Sequence, residues 1–518
     1  MLGLLAAAAA FTTFLSLATS ASAGELTVAA GADLRSSEPG VNRDDTADAV
    51  LSHVVETLVT LRDDLGIAPL LAASWAVEDD GRSYRFTLRD GVRFHDGTPL
   101  TAEAVAWNWS RFLAADSRWY CRSLFDGSNR TRAGLHVLEV RAVDRLTLLF
   151  RLAEPSALFL PLLASTQCMA GAYARSSVDA TGRWLRPVGT GPYRFAEWRR
   201  GRDFVLRRHP QHVSPPGEPD GLAGRREALI ESIRFVVIPD PNSALAAFNA
   251  GDIDLLTYQP TGILPALSAR HGIVAREQPL LGWTVLLLQT RDPLLRDPRI
   301  RTAIAHAIDR RRLARAATET PGRENASAVP LGSPLRSAAH DAFPGYDPAR
   351  ARALLRAAGY AGEPIVIQTN RLYRNMYDNA IMIHAMLRAV GMNPRIAVLD
   401  WATQLSNYQQ GRFQLSSFSY SGRFDPALTY DLLIGDKTAR PTAQWESPAA
   451  GDALAAALRD GDPESRRQRL ADLHRLMATD VPIIGLYNGT SVSVAAPGVE
   501  GLRTWRGATP ILWGITKR

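Results

Sequence analysis

The side chains that could carry out catalysis are spread through this sequence without a recognised spacing. The ten histidines are dispersed, and no H-E-x-x-H pair of zinc ligands occurs. Neither a G-x-x-x-x-G-K-[ST] phosphate loop nor a G-x-S-x-G nucleophile turn is present. A Ser-His-Asp triad could assemble from distant positions, but no pattern indicates one, and His95 and His306 are expected to be structural. The sequence therefore favours a binding protein without a cofactor or a metal over an enzyme.

The N-terminus has the pattern of a secretory signal peptide. Residues 2–17 form an apolar run without a charge, and Ala21-Ser22-Ala23 supplies the small residues of a cleavage site. A membrane anchor is the alternative, but a span needs about 20 apolar residues, and the cleavage site favours removal. We predict that the mature chain begins at Gly24 in the periplasm. No cysteine lies at the cleavage site to carry a lipid anchor.

Cys121 and Cys168 are the only cysteines of the chain, too few for a structural zinc site. In an oxidising compartment two cysteines can form one disulfide. Two unpaired buried thiols are an equally good interpretation of the sequence alone. Because the chain is expected to be exported, we predict that the two cysteines are bridged.

Length and charge narrow the class of protein. The chain has 518 residues, of which 46% are hydrophobic and 21% charged, so a soluble globular protein of two or more domains is expected. The net charge of +7 comes from scattered arginines without basic runs. Such a distribution does not form a nucleic-acid-binding stripe, and no nucleic-acid partner is expected.

Strand and helix signals alternate along the chain, which indicates an α/β fold. Residues 84–88 alternate apolar and polar side chains, as on a half-buried strand. Asp240, Asp297 and Asp347 each precede a proline, so each is predicted to cap a helix that has proline at its first position.

The clearest topological signal lies in the second half of the chain. A predicted strand at 364–369, a helix at 373–390 and a strand at 395–399 form a βαβ unit. Consecutive strands joined by a helix run parallel. Part of the sheet is therefore expected to be parallel.

Several longer motifs carry a resemblance that covers almost the whole mature chain. They are Leu71-Ala72-Ala73-Ser74-Trp75, Phe94-His95-Asp96-Gly97, Gly189-Thr190-Gly191-Pro192-Tyr193, Ile238-Pro239-Asp240-Pro241 with Gly251-Asp252-Ile253-Asp254, Asp297-Pro298-Arg299-Ile300-Arg301, and Tyr346-Asp347-Pro348. On these residues the chain resembles the family 5 extracellular solute-binding proteins, which include oligopeptide-, dipeptide- and nickel-binding components of ABC importers. Most of the motifs have structural explanations, so they indicate family and fold rather than ligand contacts.

The resemblance implies an α/β, two-lobed periplasmic-binding-protein fold with a hinge. Residues 24–281 would form the first lobe, with an extra subdomain at about 53–186, and residues 282–480 the second. Residues 481–518 would return to the first lobe after a crossing near Val481-Pro482. A ligand would be enclosed between the lobes, and the closed monomer would dock on a membrane permease.

The resemblance also points to one loop that would line the cleft, residues 419–426. In dipeptide-binding relatives an aspartate three residues before an Asp-Pro pair holds the amino group of the peptide, and Gly422 occupies that position here. This departure puts recognition of a peptide N-terminus in doubt. Tyr420 and Arg423 are further candidate contacts of the loop. Asp425, the first residue of the pair, is either a helix cap or a ligand contact.

Three more candidates lie outside that loop. Arg371 falls within one residue of the arginine that clamps the substrate carboxylate in dipeptide-binding relatives, a task that suits guanidinium; a solvated loop arginine is the alternative. Trp401 either stacks on a ligand or is buried in its lobe. Arg35 follows the first strand, where the N-terminal segment of the family reaches the cleft.

The ligand class stays open at this point. Peptides are the default of the family, while Gly422 and Arg423 make an opine-like or other carboxylated solute, or a chelated metal, an alternative. If Arg371 and Arg423 both face the cavity, the cleft favours an anionic group. A secreted hydrolase on a similar frame and a periplasmic chaperone are the rivals from other classes.

Overall fold

A computed structural model describes residues 24–41, 45–78, 80–129, 131–267, 271–318 and 324–518. The predicted signal peptide, residues 1–23, lies outside the described residues.

The strands are, in chain order, β1 (Glu25–Ala30), β2 (Val59–Leu61), β3 (Ile67–Pro69), β4 (Ala72–Val77), β5 (Ser83–Leu88), β6 (Val137–Ala142), β7 (Thr147–Leu152), β8 (Tyr193–Arg199), β9 (Asp203–Arg208), β10 (Ser232–Val237), β11 (Leu255–Gln259), β12 (Val274–Leu288), β13 (Pro364–Asn370), β14 (Asn393–Leu399), β15 (Leu415–Tyr420), β16 (Ile483–Ala495), β17 (Val499–Glu500) and β18 (Thr516–Lys517).

The α-helices are α1 (Asp45–Leu51), α2 (Ala102–Phe112), α3 (Arg122–Phe125), α4 (Phe159–Leu163), α5 (Pro241–Ala250), α6 (Leu264–Leu267), α7 (Pro298–Ala307), α8 (Arg310–Thr318), α9 (Pro348–Ala357), α10 (Arg374–Ala389), α11 (Trp401–Gln409), α12 (Pro426–Leu433), α13 (Pro448–Arg459) and α14 (Pro463–Asp480). Within the described ranges, no helix combines the length and apolar character needed to cross a membrane.

One ten-stranded sheet of the described residues organises the molecule, in the order β14-β13-β15-β12-β16-β11-β1-β10-β9-β8. In one half, β1 is parallel to both β10 and β11. In the other half, β13 is parallel to both β14 and β15. The predicted α/β class and the parallel pairing of the βαβ unit are therefore confirmed.

Two long strands, β12 and β16, join the halves. They pair antiparallel along almost their whole length, but the register shifts between Pro279 and Trp283, opposite Thr490 and Asn488. Beyond the shift, β12 pairs with β15 of the second half. Because β11 and β15 both run antiparallel to these strands from opposite sides, the carboxyl ends of the two parallel groups face each other across the shift.

The residues around Val481-Pro482, where the chain is expected to cross back to the first lobe, form a turn. Val481 has a left-handed backbone (φ 45°) and ends helix α14. Its backbone N–H donates a hydrogen bond to Met477 O. Asp480-Val481-Pro482 is thus a turn from helix to strand. The following residues still pair with the β12 segment of the second half. We therefore propose that the chain crosses back at Asn488–Thr490, several residues later than expected.

The three predicted Asp-Pro helix starts are confirmed. Asp240, Asp297 and Asp347 each accept a hydrogen bond from a backbone N–H in the first turn of α5, α7 and α9. The bond satisfies one of the amides that a helix start leaves without an internal partner. Gly251 ends α5 at φ 89°, a conformation that glycine adopts without strain.

The extra subdomain has its own antiparallel sheet, in the order β4-β5-β7-β6, with α2 packed on it. Alternating residues of β5 are buried, as predicted from the pattern of residues 84–88. The fully buried ring of Trp109 on α2 lies 5.0 Å from Phe150 and 5.3 Å from Phe125, centroid to centroid. Removing such a side chain costs about 3–5 kcal/mol.

Cys121 and Cys168 form a disulfide with their Cα atoms 5.3 Å apart, as predicted. Trp119 Nε1 donates to Cys168 O (2.6 Å). Gly40, at φ +70°, packs against the same carbonyl, where an added Cβ would lie 2.5 Å from the oxygen. The disulfide therefore lies where the subdomain contacts the loop after β1.

The subdomain also packs against the second lobe. Arg132 N donates to Asp431 Oδ1 (3.0 Å) and Ala157 N to Leu458 O (2.8 Å). One buried apolar cluster contains Phe159 and Leu162 of the subdomain together with Leu454 of α13. The two lobes are thus in direct contact through the subdomain.

Candidate functional site

A groove lies between the two halves of the sheet, beside the register shift of β12 and β16. It consists of two adjoining cavities of about 450 and 770 Å³ that share Tyr258 and Gln259. We call it the interlobe groove. Its wall in the first half includes Ala29–Ala32 and Ile238, at the carboxyl ends of β1 and β10. Its wall in the second half is residues 372–375 with α10, and Gly489 lies at the crossing.

The polar groups of the groove are mostly neutral. Amide side chains come from Gln259, Asn375 and Asn379, and hydroxyls from Tyr487 and Ser491. Such groups donate and accept hydrogen bonds without requiring a charged partner. The arrangement suits a ligand that has amide or hydroxyl groups along its length.

Charged groups of the groove partly compensate one another. Arg374 and Asp378 line the wall one turn apart on α10 and form an ion pair of 3.4 Å. Both side chains are largely exposed, and such pairs contribute little to stability. They remain available at the rim for the charged ends of a ligand.

Hydrogen bonds hold the second-half wall in place. Asn379 donates to Tyr487 Oη (2.8 Å), and Asn375 donates to Ser419 Oγ (3.4 Å). Burial raises the pKa of Tyr487, so its hydroxyl stays neutral. Helix α10 is thereby tied to both β15 and β16.

Tyr258 anchors the first-half wall. It has a left-handed backbone (φ 54°) at the end of β11 and donates through its hydroxyl to Thr509 O (2.7 Å). Burial raises the pKa of this phenol. The C-terminal segment thus holds in place a side chain that lines both cavities of the interlobe groove.

Arg371 and Arg35 are both exposed. The Arg371 guanidinium stands 5.2 Å from the ring of Tyr377, and the residue directly precedes the wall residue Leu372. Arg35 follows the wall residue Ala32 in the loop after β1. Both residues are close in sequence to residues that line the groove, but neither side chain lines it.

Trp401 and Tyr420 belong to one aromatic cluster. Trp401 is half-buried and lies 4.9 Å from the wall residue Tyr373 and 5.8 Å from Phe418, between ring centroids. Tyr420 is buried, stacks on Trp283 at 6.5 Å, and has its pKa raised by burial. The cluster contacts the second-half wall at Tyr373.

Gly422 packs directly on Leu281 of β12. An added Cβ at residue 422 would lie 2.6 Å from Leu281 Cβ. Gly422 O accepts hydrogen bonds from Gln167 Nε2 of the subdomain (3.1 Å) and from Arg423 (3.3 Å). The position of the family's aspartate is therefore a close backbone contact in this chain.

Asp425 caps α12, accepting from Ala427 N (2.9 Å). Its two oxygens also receive both terminal nitrogens of Arg466, at 2.7 Å each, in a buried ion pair. The cap interpretation is confirmed. Losing one partner of a buried pair of this kind is strongly destabilising.

Sequence reasoning missed Tyr258, Asn375, Asn379, Tyr487 and Gln167. The carboxyl-end rule for parallel strands could have found Tyr258, near the end of β11, and Asn375, shortly after β13. Tyr487 and Gln167 carry no comparable signal, since tertiary packing alone brings them to the cleft. Within the described residues, no three His, Cys, Asp or Glu side chains are grouped to hold a metal ion.

Residues 66–439 match the family model described as bacterial extracellular solute-binding proteins, family 5 Middle. The chain belongs to this family. The match covers most of the chain and identifies it as one of a group of solute-binding proteins.

Similar proteins span nearly the full length. The probable peptide ABC transporter periplasmic-binding protein y4tO of Sinorhizobium fredii is 24% identical over 87% of this chain and 85% of its own length. The glutathione-binding protein GsiB of Salmonella paratyphi A is 25% identical over 92% of each chain. The structure of DppA from Helicobacter pylori in complex with peptide STSA superposes with a TM-score of 0.74 at 23% identity, covering 95% of this chain and 98% of that one. The two-lobed fold with its hinge is thus shared.

Proposed function

We propose that this chain is the substrate-binding component of an ABC importer. It works in the periplasm as a monomer, after removal of residues 1–23, and is not an enzyme. Its ligand is a short peptide or peptide-like compound. The observation that carries this proposal is the interlobe groove, which is walled by the carboxyl ends of strands from both halves and lies where β12 and β16 shift register.

Closure of the lobes is the mechanism. A ligand that contacts Tyr258 and Asn375 together touches both halves, and it does so fully only when they are closed. Its differential affinity for the closed form shifts the hinge equilibrium. A membrane permease would then select the closed, loaded protein.

The lining supports the ligand class. An enclosed peptide must satisfy its N–H and C=O groups, because an unpaired buried amide is costly. Asn375, Asn379 and Gln259 can donate to and accept from such groups. The peptide in the name of y4tO, the glutathione in the name of GsiB and the peptide bound to DppA support the same class.

The ends of the ligand are held differently from those in dipeptide-binding relatives. With glycine at residue 422 and Leu281 Cβ 2.6 Å from where its Cβ would lie, no carboxylate at this position meets an amino group. Arg371 and Arg423 are the proposed partners of a ligand carboxylate, and Trp401 of an apolar side chain. Asp425 is assigned to the cap and not to the ligand.

The test is a binding panel on the mature protein. Tripeptides and tetrapeptides, their N-acetylated and C-amidated forms, opines, sugars and metal chelates are titrated by calorimetry and thermal unfolding. A peptide at about 100 times its Kd should stabilise the protein by about 2.7 kcal/mol, with no product detected by mass spectrometry. Product formation, or binding of another class without any peptide, would reject the proposal.

A matched pair of variants locates the site. Asn375→Ala removes an amide from the groove wall and should weaken peptide binding severalfold. Asn393→Ala, at the start of β14 and the opposite end of the second lobe, should leave binding unchanged.

A further inference from the structure

The positive charge of the chain is concentrated in one segment. Residues 291–400 contain 17 arginines and ten acidic residues, a net charge of +7 that equals the formal net charge of the whole chain. The remaining residues are therefore neutral in sum. This segment contains α7, α8, α9 and α10, and it forms much of the second lobe.

Hydrogen bonds bring part of this charge together at one end of the lobe. Arg299 Nη1 donates to Ala357 O (2.8 Å), which joins the start of α7 to the end of α9. Arg352 Nη2 donates to Ala389 O (3.5 Å), which joins α9 to the end of α10. We call five exposed arginines here the basic end: Arg296, Arg352, Arg356, Arg388 and Arg395.

These arginines are not neutralised by carboxylates. Among the ion pairs formed within the described part of the chain, none involves a residue of the basic end. Glu363, an acidic residue of the neighbouring loop, instead accepts from the backbone N of Ala361 (2.9 Å). In contrast, Arg85, Arg141 and Arg151 on the subdomain sheet each have a glutamate within 4 Å.

The arrangement carries an internal electrostatic cost. Arg352 and Arg356 lie one turn apart on α9, and like charges at this spacing destabilise a helix. The negative end of the helix dipole offsets part of that repulsion at Arg356 and Arg388. A surface that collects unpaired guanidinium groups is complementary to an anionic partner.

We propose that the basic end is a docking surface for the anionic phospholipid headgroups of a membrane. A guanidinium matches a phosphodiester with two parallel hydrogen bonds, and a cluster of such groups attracts an anionic bilayer. Adsorption would concentrate the protein at the membrane that contains the permease. The protein remains peripheral, held by electrostatics alone.

Docking at the basic end leaves the groove free. Arg388 lies at the C-terminal end of α10, whereas Arg374 at its start lines the groove. Arg374 and Arg388 are fourteen positions apart on the helix, about 21 Å. Ligand binding and membrane docking can therefore be measured as independent properties.

The experiment is co-sedimentation of the mature protein with vesicles of phosphatidylcholine alone or mixed with phosphatidylglycerol. Wild type should bind the mixed vesicles at low salt and detach at about 0.3 M salt, where charges are screened within several ångströms. The triple variant R352Q/R356Q/R388Q should lose at least tenfold in partitioning, since each cluster arginine contributes roughly fivefold. Ligand titration and thermal unfolding verify that the variant is folded.

The control variant R85Q/R141Q/R151Q lowers the net charge by the same amount on the subdomain and should change partitioning less than twofold. Equal losses in the two triple variants would mean that net charge alone acts, and would overturn the proposal. It would also be overturned by equal binding to neutral vesicles. Salt-sensitive binding only to vesicles that contain the permease would identify a protein partner instead. None of these outcomes changes peptide binding at the groove, which tests the proposed function separately.

Discussion

Gln167 of the subdomain donates a hydrogen bond from Nε2 to the backbone oxygen of Gly422 in the second lobe, at 3.1 Å. The two residues are 255 positions apart in the sequence. The bond joins the subdomain to the second lobe, and its donor directly precedes the disulfide residue Cys168. One end of this contact is therefore fixed covalently, and the acceptor residue packs on Leu281.

Gln167→Ala should weaken ligand binding without impairing folding. Loss of one hydrogen bond that forms on closure costs about 1 kcal/mol, or about a fivefold rise in Kd. Calorimetry with a peptide from the binding panel measures the change. The exposed Gln211→Ala serves as control, and an unchanged Kd in Gln167→Ala would show that the bond does not contribute to closure.

Gly422→Ala should disfavour the closed form. Its Cβ would lie 2.6 Å from Leu281 Cβ, closer than carbon atoms pack, so the loop or the crossing must shift. We expect a larger radius of gyration in small-angle scattering with ligand present, and Gly422→Asp should behave in the same way. Gly461→Ala, at a glycine with no neighbour within 4 Å of the added Cβ, is the matched control. Normal closure of Gly422→Ala would contradict the contact.

Arg371→Ala and Arg423→Ala test the anionic clamp. Removal of an arginine that pairs with a ligand carboxylate in a closed site should cost roughly 2–5 kcal/mol of affinity. A solvated arginine such as Arg350 should cost almost nothing. If both variants bind within about threefold of the parent, less than 1 kcal/mol, the clamp hypothesis is wrong and the carboxylate is held elsewhere.

The stability of the protein should depend on pH through His53. This buried imidazole bonds to Ala49 O through Nδ1 (2.7 Å) and accepts Leu512 N–H at Nε2 (3.1 Å), which requires the neutral form. Burial lowers the pKa of His53 from 6.5 to about 4. A lowered pKa means that the stability is fully present above pH 6.5 and is lost as the pH falls toward 4.

The difference between the pKa values of His53 in the unfolded and folded states corresponds to on the order of 3 kcal/mol in the free energy of unfolding. Urea unfolding between pH 4 and 7 should show this loss in the parent. His53→Gln should weaken the dependence without abolishing it, because burial also lowers the pKa of His95, His209 and His474. His271→Gln, at an exposed position, should leave it unchanged. An identical pH profile for all three proteins would exclude His53 as the cause.

Features that depend on neighbouring residues could be predicted from the sequence. The Asp-Pro caps at 240, 297 and 347 follow from local hydrogen bonding, and the parallel pairing of β13 with β14 follows from the helix between them. The Cys121–Cys168 bridge followed from export and an even cysteine count. The crossing predicted near Val481 falls at a helix end, which resembles a lobe boundary in the sequence. The register shift, on which the later crossing is proposed, lies inside a continuous strand.

The site was less predictable, because its walls come from distant parts of the chain. The side chains of Tyr258, Asn379 and Tyr487 come together only after β12 and β16 have paired. Arg371 was predicted as a ligand contact through the resemblance, but its guanidinium lies over the ring of Tyr377 and not on a wall of the interlobe groove. Gly422 was recognised as a departure from the family, while its steric reason, the approach of Leu281, needed the structure.

The place of β16 between β12 and β11 has a consequence for how the protein is made. Without that strand, the sheet falls into two unconnected pieces, one ending at β12 and the other at β11. In the proposed export from the N-terminus onward, β16 is among the last strands to emerge. The two halves of the sheet then become one only after residues 483–495 are available, and a product truncated before residue 483 lacks the strand that joins them.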